Sequence, residues 1–283
     1  MRRKFDRTPL RPYLQDIKNL YEGGTSTAKI AEKYNSNGES VRLILKKMGV
    51  KVRSRKEACS KYDLDESFFD KIDNEVKAYW LGFLTADGGV VNHQIILSLS
   101  SKDEVHISKF LKDLNSTHPI KNVKSKCNGK IVIQPRTCVS SVKMVSSLKK
   151  LGVGERKSLI VKPPNIEKQF LEHYWRGVFD GDGCISITGK RKELSLCGNE
   201  HMLNGYSKFL KTKGVNSKIT PCKSIYRVRH GSREDIFNIS SLLYANSTVY
   251  LDRKFAIAKS IYENPYFKLR KNSKIKQTCE QAN

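Results

Sequence analysis

The sequence predicts an α+β protein: two αββαββα repeats related by a pseudo-twofold axis, forming a saddle of two antiparallel sheets, preceded by a small all-α helix-turn-helix domain. Three observations lead there. The stretch Trp80-Leu81-Gly82-Phe83-Leu84-Thr85-Ala86-Asp87-Gly88 returns 95 residues later as Trp175-Arg176-Gly177-Val178-Phe179-Asp180-Gly181-Asp182-Gly183. The same order of strand-like and helix-like segments follows each copy. Ahead of the first copy, residues 13 to 50 show helical periodicity only.

In the N-terminal region, assigned to residues 1–50, Leu14, Ile17, Leu20 and Tyr21 recur at helical spacing and stop at Gly23-Gly24. Thr25 or Ser26 caps a second helix with Ala28, Ile30, Ala31 and Tyr34, and residues 35–38 make a turn. Ser40 opens a third helix, with Val41, Ile44, Leu45 and Met48 inward and Arg42, Lys46 and Lys47 outward, closed by Gly49. The set resembles a helix-turn-helix of the resolvase or homeodomain-like kind, whose second helix lies in the major groove. Asn37, Glu39, Ser40, Arg42 and Lys46 are then candidate DNA contacts; a trihelical cap with a solvated basic face is the alternative. Residues 51–74 read as a basic linker in which Lys51, Arg53, Arg55, Lys56 and Lys61 could track phosphates.

The first repeat is assigned to residues 75–162. After the Trp80 helix come a strand near Gly89 to Val91, a turn at Asn92-His93, and a strand from Gln94 to Leu99. In the latter, Ile95, Leu97 and Leu99 alternate with Gln94, Ile96 and Ser98. A helix from about Asp103 to Leu114, a hairpin around Asn128-Gly129 with strands near Ile120 to Lys126 and Lys130 to Gln134, and a helix near Ser140 to Leu151 complete it. The second repeat, residues 163–265, mirrors this order. Cys184 to Thr188 pairs with Glu193 to Cys197, and Asn199 to Lys213 is helical. Lys218 to Cys222 pairs with Ile225 to His230, and helices near Glu234 to Leu243 and Asp252 to Tyr262 follow. Pro163-Pro164 separates the repeats, and a basic tail runs over residues 266–283.

The formal charge is +25, from 53 Lys and Arg against 28 Asp and Glu, with a pI near 9.8, and the cations are spread along the chain. A polyanion is the natural partner. No run approaches the length of a membrane-spanning helix, and Met1-Arg2-Arg3-Lys4-Phe5 lacks the apolar core of a signal peptide. The expectation is a soluble intracellular protein with no membrane partner. Seven scattered cysteines contain no C-x-x-C pair, so neither a disulfide framework nor a zinc site is indicated. The stretch Gly152-Val153-Gly154-Glu155-Arg156-Lys157-Ser158 lacks the Gly before Lys and the preceding buried strand of a phosphate-binding loop.

In each motif copy the third and seventh positions are small: Gly82 and Ala86 in one, Gly177 and Gly181 in the other. At i, i+4 they share a helical face, so two such helices can cross with their backbones nearly touching. That crossing brings Asp87 and Asp182 together. Two carboxylates about 5 Å apart repel by about 3 kcal/mol at an effective dielectric near 20, and a divalent cation reverses the sign. Each Asp also falls at a helix C-terminal end, before a Gly suited to the C′ position, where the macrodipole attracts a cation.

These residues resemble the LAGLIDADG family of homing endonucleases in its single-chain, two-motif form. Trp80 and Trp175 at the first position, Arg176 at the second and Thr85 at the sixth depart from the family pattern, while both final aspartates are kept. The resemblance implies a monomeric, Mg²⁺-dependent (or other divalent cation) endodeoxyribonuclease that makes a staggered double-strand break with 3′ overhangs at a long asymmetric site. The resemblance further implies a role in intron homing and mobile elements, in a bacterial or phage-infected cytoplasm or an organelle. Asp87 and Asp182 would hold metal, assisted by the carbonyls of Ala86 and Gly181. Lys157 and Lys254, late in each repeat, are candidates for transition-state stabilisation, with a plain phosphate contact as the alternative.

Hard oxygen donors suit Mg²⁺, so no His or Cys cluster is needed. Outward positions expected to meet the major groove are Gln94, Ser98, Lys124, Lys130, Ser186, Lys190, Arg191, Ser195, Arg227 and Arg229. Two other readings share the fold and charge: a non-cleaving transcription regulator, and a maturase that binds intron RNA. Thr85 facing Asp180 and Leu81 facing Arg176 predict two halves of unequal competence.

Overall fold

The computed structural model describes residues 10–53, 61–127, 130–155, 160–188 and 191–267. Lys157, Lys190, the Asn128-Gly129 turn, Arg55, Lys56 and the tail from Lys268 lie outside the described residues, as do the side chains of Lys130 and Arg191. The chain divides into two compact units, residues 1–62 and 63–283.

The first unit holds three helices, α1 (Leu14–Glu22), α2 (Thr27–Lys33) and α3 (Gly38–Lys47), around a core of Leu10, Ile17, Tyr21, Ile30, Ala31, Tyr34, Val41 and Leu45. Ser26 caps α2 by accepting from Lys29 N at 3.3 Å. The cap of α3 is Asn37, whose side-chain oxygen accepts from Ser40 N at 2.7 Å, so the helix begins two residues before the expected Ser40. An extended Asn with its oxygen on the third helical N–H satisfies an orphan donor that Ser40 cannot reach from inside the first turn. Arg53, expected to track phosphates, instead stacks its guanidinium over Tyr21 and donates to the carbonyls of Tyr21, Gly24 and Thr25. It fastens the α1–α2 turn.

In the second unit each repeat makes one four-stranded antiparallel sheet. The strands are β1 (Gly88–Val91), β2 (Gln94–Ser98), β3 (Ile120–Cys127), β4 (Lys130–Ser140), β5 (Gly183–Thr188), β6 (Arg191–Gly198), β7 (Ile219–Cys222) and β8 (Ile225–His230). The orders are β1-β2-β4-β3 and β5-β6-β8-β7, the same topology twice. The helices are α4 (Glu75–Ala86), α5 (Glu104–Asp113), α6 (Val142–Lys150), α7 (Leu171–Asp182), α8 (Glu200–Thr212), α9 (Arg233–Tyr244) and α10 (Asp252–Tyr262). Asn74, Ser141, Asn199 and Ser232 cap α4, α6, α8 and α9 with their side-chain oxygens. No helix among the described residues is long and apolar enough to cross a membrane.

Three boundaries differ from expectation. Residues 63–74 are not linker, because Phe68, Phe69 and Ile72 are buried in the core of the second unit. Phe267 is likewise buried, so the second repeat reaches past residue 265. Strand β4 runs through Pro135 to Ser140 instead of ending at Gln134. Proline costs a ladder bond only on the side where its N–H would point. Pro135 accepts from Leu99 N through its carbonyl, just past the end of β2, so its missing donor leaves the β3–β4 ladder whole.

Candidate functional site

Helices α4 and α7 cross reciprocally. A Cβ built on Gly82 would lie 2.0 Å from Tyr174 O, and one on Gly177 would lie 2.1 Å from Tyr79 O. Tyr79 and Tyr174 occupy the same position relative to their motifs, so each helix presses its glycine onto the other's matching carbonyl. One turn on, a Cβ on Gly181 would meet Ala86 Cβ at 2.3 Å. The four small residues expected at the interface therefore all sit in it, and backbone contact at third and seventh positions is what fixes the pseudo-twofold axis.

That axis sets the carboxylates. Asp87 closes α4 and Asp182 ends α7, both exposed. The same Cβ on Gly181 would lie 3.4 Å from Asp87 Cγ, which puts the first carboxyl beside the last turn of the second helix. The glycine that follows each Asp was expected as a left-handed C′ residue and is not one: Gly183 is extended, with φ −82°. The need is close approach. A Cβ there would lie 2.4 Å from Phe179 O, and one on Gly88 would lie 2.7 Å from Leu84 O, because each chain turns straight from helix into strand under its own last turn.

Two buried polar groups on α7 were not expected to do what they do. Asp180, fully buried, accepts from the Tyr79 hydroxyl (2.8 Å), the Tyr244 hydroxyl (2.6 Å) and Leu251 N (2.8 Å). Burial pushes its carboxyl up, against the pull of Lys254 and these donors. Arg176, 1% exposed, donates to Glu75, to the carbonyls of Val249 (2.9 Å) and Leu243 (3.1 Å), and lies by His173 Nδ1. Thr85, at the position that Asp180 holds in the second motif, spends its hydroxyl on the carbonyl of Leu81 in its own helix.

Lys254, expected near the reacting phosphate, lies inside the protein at 3% exposure. Its Nζ donates to the carbonyls of Phe179 (2.7 Å), Asp180 (2.7 Å) and Gly183 (2.5 Å), with Gly181 O at 3.5 Å. Burial lowers its pKa to about 8, partly offset by Asp180. A cation on the orphan carbonyls of a helix C-terminus both satisfies them and meets the negative end of the dipole. Lys254 thus fastens the turn that carries Asp182. Helix α10, which delivers it, is held to the first repeat by Arg253–Asp103 (3.0 Å) and Lys109–Asp252 (2.5 Å).

The strand registers assign the outer faces. On the first sheet, Gln94, Ile96 and Ser98 lie opposite Ser140, Cys138 and Arg136, and Arg136 lies opposite Lys121. Gln94 and Ser98 are outward as expected. Lys124 is not. It pairs with Ile133, whose face continues through Thr137 and Val139 into the core. Arg136, Lys121 and Gln134 were missed; Arg136 keeps a buried Nε without a hydrogen-bond partner. On the second sheet, Cys184–Ser195–Arg229 and Cys197–Arg227–Thr220 form outward rows, with Ser186 opposite Glu193 and Thr188 opposite Arg191. Ser195 faces outward yet is 8% exposed, because it sits in a central strand between larger neighbours. In the first unit Asn37, Glu39, Arg42 and Lys46 are exposed on α3 and Ser40 is half-buried, with Arg42 3.8 Å from Glu39.

Among the described residues no group of three or more His, Cys, Asp or Glu side chains gathers as a metal cluster. The donor set at the crossing is two aspartates with neighbouring carbonyls, all hard oxygens, which fits a hard divalent cation. The 3.5 Å separation from Lys254 Nζ leaves Gly181 O only weakly engaged.

A family profile for a LAGLIDADG-like domain matches residues 169–244. Among solved structures, the homing endonuclease I-WcaI bound to its DNA recognition sequence is similar at 14% identity, covering 74% of this chain and 96% of its own, with a TM-score of 0.53. I-DmoI in complex with DNA and Ca matches at 17% identity over 69% of this chain and 98% of its own, TM-score 0.47. Full-length DUF199/WhiA from Thermatoga maritima matches at 18% identity over 74% and 67%, TM-score 0.47. No curated protein matches the chain in sequence.

Proposed function

We propose, from the premise that this chain belongs to the LAGLIDADG family, that it is a divalent-cation-dependent homing endonuclease. It grips a long, asymmetric double-stranded DNA site with the outer faces of its two sheets and hydrolyses one phosphodiester bond in each strand at the α4–α7 crossing. The observation that carries this reading is the pair of exposed carboxylates, Asp87 and Asp182, held at the ends of two helices whose backbones touch. The solved relative I-WcaI, by its own description, is a homing endonuclease bound to its DNA recognition sequence.

The residues divide the work. Gly82, Gly177, Ala86 and Gly181 set the spacing of the two helix ends. Asp87 and Asp182 present charge at the negative ends of two helix dipoles, a place that favours cations. They would hold the metal, with the carbonyls of Ala86 and Gly181 within reach. A bound divalent cation supplies Lewis-acid stabilisation of the charge that builds on a phosphoryl oxygen. Lys254 acts from below, by fixing the turn that aims Asp182. The α3 face with Arg42 and Lys46 supplies a second DNA contact. The chain acts as a monomer, since both motifs lie in one polypeptide.

The test is direct. DNA selected from a randomised duplex pool by the full chain is incubated with and without Mg²⁺ and its ends mapped. Staggered ends with the wild type, none with Asp87→Asn or Asp182→Asn, and binding within about threefold for all three are expected. Binding without any cleavage favours a non-cleaving regulator; preference for intron RNA over the selected duplex favours a maturase. Undiminished cutting by either variant would falsify the assignment.

A further inference from the structure

The two sheets match row by row. Gly88, which follows Asp87, pairs with Leu97, and Leu97 with Thr137; Gly183, which follows Asp182, pairs with Leu196, and Leu196 with Val228. The adjoining row is Ser98–Arg136–Lys121 in the first sheet and Cys197–Arg227–Thr220 in the second. Arg136 and Arg227 therefore hold the same place in the two repeats. Continued past the ends of β1 and β5, each of these rows reaches the aspartate of its own motif. The match also sets Gln134 against Ile225 and Cys138 against Arg229, so of these three outward positions only the middle one carries a cation in both repeats.

Position within the sheet decides what such a cation can meet. Strands β4 and β8 are inner strands, paired on both sides. A two-stranded ribbon fills the width of a major groove, so inner strands face base edges while the edge strands β3 and β7 meet the phosphate walls. Both arginines are half-buried, and neither has an acid opposite it on a neighbouring strand. The buried Nε of Arg136 has no hydrogen-bond partner. Arg227 has its Nε 3.3 Å from Cys197 Sγ, a weak acceptor, and so keeps its two terminal nitrogens for others. Buried donors left this way call for an acceptor from outside the chain. Guanine is the base that shows a guanidinium fork two acceptors, O6 and N7.

We propose that Arg136 and Arg227 are a matched pair that selects two guanines, one on each DNA strand, at equal distances from the centre of the site. This rests on the reading that the outer sheet faces bind DNA. Equal distance and opposite strands both follow from the pseudo-twofold axis at the α4–α7 crossing. The positions around them are free to differ, because the neighbours differ: Lys121 against Thr220, and Cys138 against Arg229.

Selection and sequencing of bound duplexes in Ca²⁺ tests the idea without cleavage, using the full chain and the variants Arg136→Gln, Arg227→Gln and Lys121→Gln. The wild-type motif is expected to hold the two guanines. Arg136→Gln should lower the preference for one of them roughly 5- to 100-fold and leave the other, and Arg227→Gln should do the reverse. Lys121→Gln, on the edge strand beside Arg136, should weaken binding to all sequences alike and keep both guanines. Three results overturn the pair while leaving DNA recognition intact: a motif unchanged in either arginine variant, a uniform loss of affinity in either, as a phosphate contact would give, or guanines at unequal distances from the centre. A wild-type pool with no enriched motif overturns the DNA reading and the pair together. Melting of each variant at the wild-type temperature separates these outcomes from misfolding; Arg136→Lys and Arg227→Lys, which keep the charge and lose the fork, serve where a Gln variant fails to fold and should relax the same positions by a smaller factor.

Discussion

The two motif helices align over nine positions and end in the same Asp-Gly, yet they are embedded differently. Helix α4 is uncharged where α7 is charged: Leu81 against Arg176 at the second position, and Thr85 against Asp180 at the sixth. Thr85 closes a bond within its own helix, whereas Asp180 and Arg176 reach into the α9–α10 segment, to Tyr244, Leu251, Val249 and Leu243, and across to Tyr79 and Glu75 of α4. A duplication can keep its geometry where backbones touch and diverge wherever side chains meet the rest of the fold. The end of α9 and the segment that leads into α10, from Leu243 to Leu251, supply α7 with partners that α4 does not have.

The comparison breaks first at the crossing, where the two copies are alike. Gly82→Ala and Gly177→Ala would each drive a methyl into a backbone carbonyl, so both should destabilise by about 3 kcal/mol or more, equally within error, in urea unfolding. A loss below about 1 kcal/mol for either would mean that the helices do not touch there.

The next effect separates the copies. Asp180→Ala leaves two buried hydroxyls and a backbone N–H without their acceptor and should cost about 3–5 kcal/mol, against about 1 kcal/mol for Thr85→Ala. Equal losses would show that the α9–α10 lock contributes nothing.

The two repeats also differ in a pH slope. His106 sits among Tyr79, Trp80, Phe83 and Phe110, with burial lowering its pKa to about 3. Because the Tyr79 hydroxyl donates to Asp180, His106 must donate from Nε2 to Tyr79, which leaves the buried Nδ1 as the bare nitrogen of a neutral ring. The unfolded chain takes up the proton below about 6.5 and the folded one not until about 3. The contribution is therefore fully present above 6.5 and is lost as pH falls toward 3, by up to on the order of 5 kcal/mol. His106→Gln should flatten that part of the stability curve. His230, a buried histidine at the end of β8 in the second repeat, is lowered by burial too, but Asp235 3.8 Å away opposes the shift, so His230→Gln should flatten the curve less.

Much of this was legible in the chain. The repeated motif, the alternation in Gln94 to Leu99 and the turn signals located every described helix and strand, since local periodicity and capping are properties of short segments. The interface glycines were legible because only close helix crossing makes i, i+4 small residues useful. Lys124 was misplaced because Ile131, Val132 and Ile133 are apolar on both faces, so the hairpin arms carry no parity of their own. The face is set where β4 continues to Thr137 and Val139, and that depends on Pro135 being tolerated at the end of β2.

The sequence by itself determined the duplication, the two carboxylates and the basic surface, all of which are written in residue types at fixed spacing. Only the tertiary structure decided that Lys254 supports the Asp182 turn from inside and that Asp180 and Arg176 tie α7 to the segment leading into α10. The physical reason is range: capping and periodicity act over a few residues, whereas a buried charge is placed by whichever distant carbonyls and hydroxyls the packed chain brings to it.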